Sequence, residues 1–233
     1  MANSIIRIND LKRNFIVGSE TVRALRGVSF EIQAGEFVAI MGTSGSGKST
    51  MLNILGCLDK PTSGEYFIDE IEVSKFSNDK LSEIRNKKIG FVFQSYNLLP
   101  RTAAIEQVEL PLLYNPSVGA KERRERAEEA LRLVGLEERM YHLPSQMSGG
   151  QQQRVAIARA IVNDPVIILA DEATGNLDTR TSYEIMSLFQ RLNESGKTIA
   201  FVTHEPDITA FTSRVLMLRD GRVTKDEPVK TAS

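Results

Sequence analysis

The sequence predicts an α/β fold, with a mostly parallel sheet flanked by helices, an antiparallel β-subdomain and an inserted helical subdomain. Three observations lead there. Apolar runs at residues 37–40, 88–93, 166–170 and 198–203 each give way to a glycine turn or to polar residues, as fully buried parallel strands do. The first of these runs opens into a glycine-rich turn and then a helix-like stretch at 51–55. Between 97 and 164 no convincing strand pattern occurs and helical periodicity takes over.

Taken in order, the chain starts with three short strands. Residues 5–8, 21–25 after a Gly18-Ser19 turn, and 28–32 alternate in the manner of an antiparallel sheet. Gly35 closes a turn before the strand at 37–40, and residues 60–68 add another turn and strand. A clear amphipathic helix spans 121–134, where Ala127, Ala130, Leu131 and Val134 share one face while Glu122/Arg126 and Glu128/Arg132 pair at i,i+4 on the other. Its interleaved glutamates make it a solvated face and not a nucleic-acid surface. Gly135 stops it, and an Ala-rich helix is expected at 155–162. A helix at 179–193 separates the last two buried strands, and 214–218 with 222–224 form a final hairpin around Asp220-Gly221. Residues from Pro228 on read as a loose tail.

Composition bounds the function. Of 233 residues 41% are hydrophobic and 25% charged, the balance of an ordinary soluble domain. A formal charge of -1 and a pI near 6.2 disfavour nucleic acid as the main partner. No run reaches the ~20 apolar residues of a membrane span and the start lacks a signal-peptide layout, so a cytosolic chain is expected. The single cysteine, Cys57, reads as a packed small hydrophobe on the helix after the glycine-rich turn.

The chemistry begins in that turn. Gly42, Gly47, Lys48 and Ser49 occupy the fixed positions of G-x-x-x-x-G-K-[ST], the P-loop pattern. Glycines let backbone N–H groups curl around phosphate oxygens, and the helix starting near Lys48 points its positive dipole end at the same anion. Lys48 then reaches the β/γ-phosphates, and the Ser49 hydroxyl is suited to Mg²⁺. Asp171, at the end of another buried strand, is the expected second Mg²⁺ ligand, and the adjacent Glu172 the expected general base. Gln94 is suited to Mg²⁺ or the attacking water, and His204 to the γ-phosphate. Each has an ordinary alternative: Gln94 and His204 as loop residues bonded to backbone, the acidic pair as a helix cap. Their joint placement at the carboxyl ends of strands in one sheet, where α/β folds bind ligands, points to function.

A second helix start follows Met147-Ser148-Gly149-Gly150-Gln151. Ser148 and the paired glycines make another anion-binding nest, or else an ordinary Ser N-cap. With two nests and one lysine-bearing loop, the second is expected to serve a nucleotide held by another copy in a head-to-tail dimer.

Together Gly42, Thr43, Ser44, Gly45, Ser46, Gly47, Lys48, Ser49 and Thr50, with Gln94, residues 147–151, 166–172, Gly175-Asn176-Leu177-Asp178 and His204, resemble the nucleotide-binding subunit of an ABC transporter. Walker A, Q-loop, signature, Walker B, D-loop and H-loop stand in the family's order. Residues 90–94, 108–112, 148–160 and 174–178 are more specifically similar to the lipoprotein-release and macrolide-export group.

The resemblance implies a P-loop NTPase core, ATP and Mg²⁺ as cofactors, and hydrolysis at Glu172, His204, Gln94 and Lys48. It also implies a second copy and integral membrane permease subunits as partners, at the cytoplasmic face of the cell membrane. The whole chain is then one ABC ATPase domain, with core and β-subdomain at 1–96 and 165–233 and the helical subdomain at 97–164. Three residues depart from the family pattern: Phe15 where a tyrosine usually stacks on adenine, Met147 for the signature leucine, and Ala173 for the proline after the glutamate. A cell-division ABC ATPase that signals without transport fits the same motifs, and a soluble ABC ATPase acting on DNA or ribosomes fits less well.

Overall fold

A computed structural model describes residues 4–229. Two long strands, β1 (Ser4–Val17) and β2 (Glu20–Gln33), pair across the Gly18-Ser19 turn. They replace the three short strands expected from alternation. The physical reason is irregular register: the pairing shifts between Ile8 and Leu11, where Asp10 sits at φ 45, and again opposite Gly27 at φ 87, so bulges imitate turns while each strand continues. β3 (Phe37–Gly42) leads through the P-loop to α1 (Lys48–Leu55). β4 (Ser63–Ile68) and the two-residue β5 (Ile71–Glu72) then complete a four-stranded antiparallel sheet of order β2-β1-β4-β5.

Next comes α2 (Asn78–Lys88), a helix the sequence pattern did not reveal because Leu81 is its only buried residue. β6 (Ile89–Phe93) follows, then α3 (Ala104–Leu113), α4 (Ala120–Leu133) and α5 (Gly149–Ile161), with no strand between 97 and 164. α5 starts six residues earlier than the Ala-rich stretch suggested, so Gly149 and Gly150 are its first turn. The chain ends with β7 (Ile167–Asp171), α6 (Thr179–Glu194), β8 (Thr198–Thr203), β9 (Arg214–Arg219) and β10 (Arg222–Pro228).

The second sheet has the order β10-β9-β3-β8-β7-β6, parallel throughout except for the antiparallel edge strand β10. Pro228 belongs to this strand opposite Arg214, and the Val229 N–H donates to the Ser213 carbonyl at 2.9 Å, so the expected tail does not begin at 228. Residues 230–233 lie outside the described range. Alternate strand residues face opposite cores. Phe37, Ile168, Ile199 and Phe201 pack with α3 to α6, while Val38, Ile167, Leu169 and Ala200 pack with α1 and the antiparallel sheet. Phe189 of α6 meets Phe201 edge-on at 5.5 Å, and the Tyr66 hydroxyl donates to the Leu55 carbonyl at the end of α1. Covering both faces is what lets strands β3, β7 and β8 be apolar along their length, so their polar chemistry is confined to the ends. Cys57 lies just past α1, not on it, in the left-handed region; burial pushes its thiol up to about 12, as befits a packed group.

Candidate nucleotide site

Between β3 and α1 the backbone is shaped by glycine. Gly45 and Gly47 sit at φ 77 and 105, and a Cβ on Gly42 would lie 2.4 Å from the Leu218 carbonyl oxygen and 2.5 Å from Ser46 Oγ. No side chain caps the start of α1, so its first N–H groups are left without a side-chain acceptor. The Lys48 ammonium arches back over the loop and donates to the carbonyls of Gly42 at 2.7 Å and Thr43 at 3.1 Å. Ser44, Gly45, Gly47, Lys48, Ser49 and Thr50 line a cleft of about 860 Å³.

The opposite lip of that cleft carries Asp171, Glu172 and His204. β7 pairs in register with β8, which brings the two strand ends together across 32 residues of sequence. Burial, then the Glu172 charge, raise the Asp171 carboxyl above the usual range, while Lys48 works against both. Glu172 lies just beyond the strand at φ 44, its N–H still donating to the Val202 carbonyl at 2.9 Å. Its Oε1 stands 2.9 Å from His204 Nδ1, so in the Nδ1-protonated tautomer the imidazole donates to the carboxylate.

The structure brings the expected P-loop residues Ser44, Gly45, Gly47, Lys48, Ser49 and Thr50 together with Asp171, Glu172 and His204, and places others elsewhere. Gln94 is not part of the cleft lining; its side-chain amide donates to Asn176 Oδ1 at 3.4 Å, and Asn176 Nδ2 donates to the Gln94 carbonyl at 3.1 Å. Phe15 pairs with Val22 across the hairpin, and Val22 lines the cleft. Ser148, Gly150 and Gln151 line a separate concavity with Arg154, Thr181 and Glu184. Met147 is buried in the helical core, Asp178 caps α6 by accepting from the Thr181 N–H, and Leu177 packs against the same core. A Cβ on Gly175 would meet Gln94 Nε2 at 2.7 Å, and one on Gly149 the Tyr96 hydroxyl at 2.8 Å.

Sequence reasoning missed one wall entirely. Residues 21–24 and Arg26 of β2, with Asp220 and Gly221, close the cleft. The Gly221 N–H donates to the Ser46 carbonyl at 3.0 Å, and a Cβ on Gly47 or Gly221 would lie 2.8 or 2.6 Å from the Ala24 carbonyl oxygen. Gly221 was legible as a turn, but its approach to the P-loop is long-range.

The profile of the family described as ABC transporter matches residues 25–175, from the cleft wall through the P-loop to the Glu172 turn. The chain belongs to the ABC transporter family. It is an ATP-binding subunit of that family and an ATPase. An uncharacterized ABC transporter ATP-binding protein of Thermotoga maritima is 56% identical over 219 residues, covering 94% of this chain and 93% of that one. A macrolide export ATP-binding/permease protein MacB of Chlorobium phaeobacteroides is 52% identical over 225 residues, but this chain covers only 34% of its length. Among solved structures, the ATP-binding cassette MJ0796, in a dimeric post-hydrolysis state bound to ADP and Pi, superposes with a TM-score of 0.87 at 49% identity over 97% of this chain and 99% of that one.

Proposed function

We propose that this ABC ATPase binds MgATP in the Lys48 cleft and hydrolyses it between two copies, driving a membrane permease of the macrolide-export or lipoprotein-release kind. The observation that carries the reading is the convergence of Lys48, Ser49, Asp171, Glu172 and His204 on one cleft. Lys48 exchanges its loop carbonyls for β/γ-phosphate oxygens, and the uncapped N–H groups of α1 hold the same anion. Glu172 takes the proton of the attacking water, and His204, already 2.9 Å from it, holds the γ-phosphate side.

The donor set fits Mg²⁺. Ser49 offers a hydroxyl and Asp171 a carboxylate in one cleft, and among the described residues no cluster of three or more His, Cys, Asp or Glu forms a closed cage. Mg²⁺ is typically held by one or two carboxylates and completes its shell with phosphate and water. When bound it would neutralise charge on the phosphates, held by Ser49 and Asp171, with the Gln94 side-chain oxygen as a further candidate ligand. Ser148 to Gln151, with the turn at 175–178, serve the nucleotide of the second copy, and the MJ0796 dimer supports that arrangement.

Residues 97–164 act as a helical subdomain inserted in a core formed by 1–96 and 165–233. A groove of about 1000 Å³ between α2, α3, α5 and β6 is the seat for the permease. Phe91, Phe93 and Pro111 give it an apolar floor, with the exposed Tyr114 at its rim. Among the described residues no helix is long and apolar enough to cross a membrane. Docking on that permease would hold the subunit at the cytoplasmic membrane face.

The test is to isolate the Glu172→Gln protein with MgATP from detergent extracts of its native cells. Recovery of an integral membrane protein with a large extracytoplasmic domain supports the reading. Recovery of ribosomal or nucleic-acid proteins in its place contradicts it.

A further inference from the structure

We infer that Arg13, held by Asp59, is a positioning residue for the nucleotide base. The inference rests on the reading of Phe15 as the ring that stacks on that base. Arg13 Nε and one terminal nitrogen donate to the two carboxylate oxygens of Asp59, both at 2.8 Å, in the fork geometry that fixes a guanidinium plane. The same guanidinium carbon lies 4.4 Å from the centroid of the Phe15 ring. One face of that ring is therefore occupied by a cation, which leaves the other face and the edge for a base.

The ring's surroundings place it at the cleft. Phe15 and Val22 are directly opposed in β1 and β2, so their side chains project from the same face of the hairpin, and Val22 lines the cleft. Phe15 carries no hydroxyl to fix its orientation, and the stacked Arg13 supplies a substitute.

Asp59 gives the contact a second meaning. It stands four residues past the end of α1, the helix that begins at Lys48, and its N–H donates to the Asn53 carbonyl inside that helix at 3.1 Å. Asp59 Oδ1 is further fixed by the Lys60 N–H at 2.8 Å, and the Thr62 N–H donates to the Lys12 carbonyl at 2.7 Å. The bond between Arg13 and Asp59 thus ties the hairpin that carries the ring to the helix that carries the phosphate loop, across 46 residues of sequence. It sets the spacing between base platform and phosphate site, so base and triphosphate are engaged together.

The chain has no tryptophan, so Phe15→Trp provides a single reporter at the ring. Nucleotide affinity is measured by its emission, and by calorimetry in the parent chain, for ATP and for inorganic tripolyphosphate. Arg13→Ala and Asp59→Asn are expected to weaken ATP about fivefold, to leave tripolyphosphate unchanged and to raise KM with kcat retained. Arg13→Lys, which keeps the charge without the fork, should fall between them and the parent. Equal weakening of ATP and tripolyphosphate would show a general loss of fold, and unchanged ATP affinity would show that the clamp does not act on the base; either overturns the inference. Phe15→Ala separates the two levels: if it leaves ATP affinity unchanged, the stacking role itself fails, whereas a loss there with none in Arg13→Ala removes only the clamp.

Discussion

The two glycine-bearing helix starts of this protein, α1 at Gly47-Lys48 and α5 at Ser148-Gly149, look alike in sequence and differ in how they are finished. α1 has no side-chain cap and a lysine that lies on its own loop carbonyls. α5 is closed by a full capping box: Ser148 Oγ accepts from the Gln151 N–H, and the Gln151 side chain accepts from the Ser148 N–H at 3.0 Å. An uncapped helix start leaves donors that an anion satisfies, so α1 binds a phosphate within one chain. A capped start is already satisfied within its own chain, so on the proposed reading α5 would meet phosphate only when a second copy presents one and Ser148 exchanges its intrahelical partner. Under the proposed function, the difference would make one end the nucleotide site and the other the sensor of a partner's nucleotide.

The sharpest way to break this comparison is to remove chemistry from the first end alone. Glu172→Gln should lower turnover by about 10²- to 10⁴-fold while nucleotide affinity persists, read by phosphate release and equilibrium binding. Normal turnover would take the general-base role away from Glu172. Next, Lys48→Ala should weaken ATP by about 10- to 100-fold, since it removes charge-assisted hydrogen bonds to phosphate, and calorimetry measures it.

A third prediction uses Asp171. Its folded pKa is raised by burial and by Glu172, so across the window above the ordinary carboxylate range the folded state binds more protons than the unfolded one. Stability of the nucleotide-free protein therefore falls as pH rises through that window. Asp171→Asn removes the decline, giving a melting temperature at pH 7 at or above that of the parent, with the gap closing towards pH 4. The same variant should lose the extra protection that MgATP gives. A lower melting temperature at pH 7 without nucleotide would contradict the assignment.

The smallest effect belongs to the capped end. Ser148→Ala should cost about 1 kcal/mol of helix capping, a shift of roughly 2–4 °C in Tm, and leave ATP affinity of the monomer unchanged. Gly150 is a poorer probe, because a Cβ there would lie 2.5 Å from Thr181 Cγ2 and disturb the contact of α5 with α6.

How much of this was legible depends on whether the signal was local. Strands β3, β7 and β8 are apolar runs that nothing else imitates, and the α1 loop has a fixed spacing, so both could be read directly. α2 hides because a helix burying only Leu81 has no periodicity to show. The length of β1 is masked by its bulge near Asp10. In the site, the residue types at strand ends were readable, but not the cleft wall from β2 and Gly221, the link between Gln94 and Asn176, or the bond from Arg13 to Asp59. Those contacts join segments tens of residues apart, and only the folded sheet brings them together.

The most direct measurement of the central claim is the mass of Glu172→Gln in solution, by light scattering with and without MgATP. The account predicts 25.9 kDa without nucleotide and twice that with it, with Ser148→Arg in the same background holding the protein monomeric despite undiminished ATP binding. A monomer at saturating MgATP, or a dimer indifferent to Ser148→Arg, would contradict a site shared between the open end of one copy and the capped end of the other.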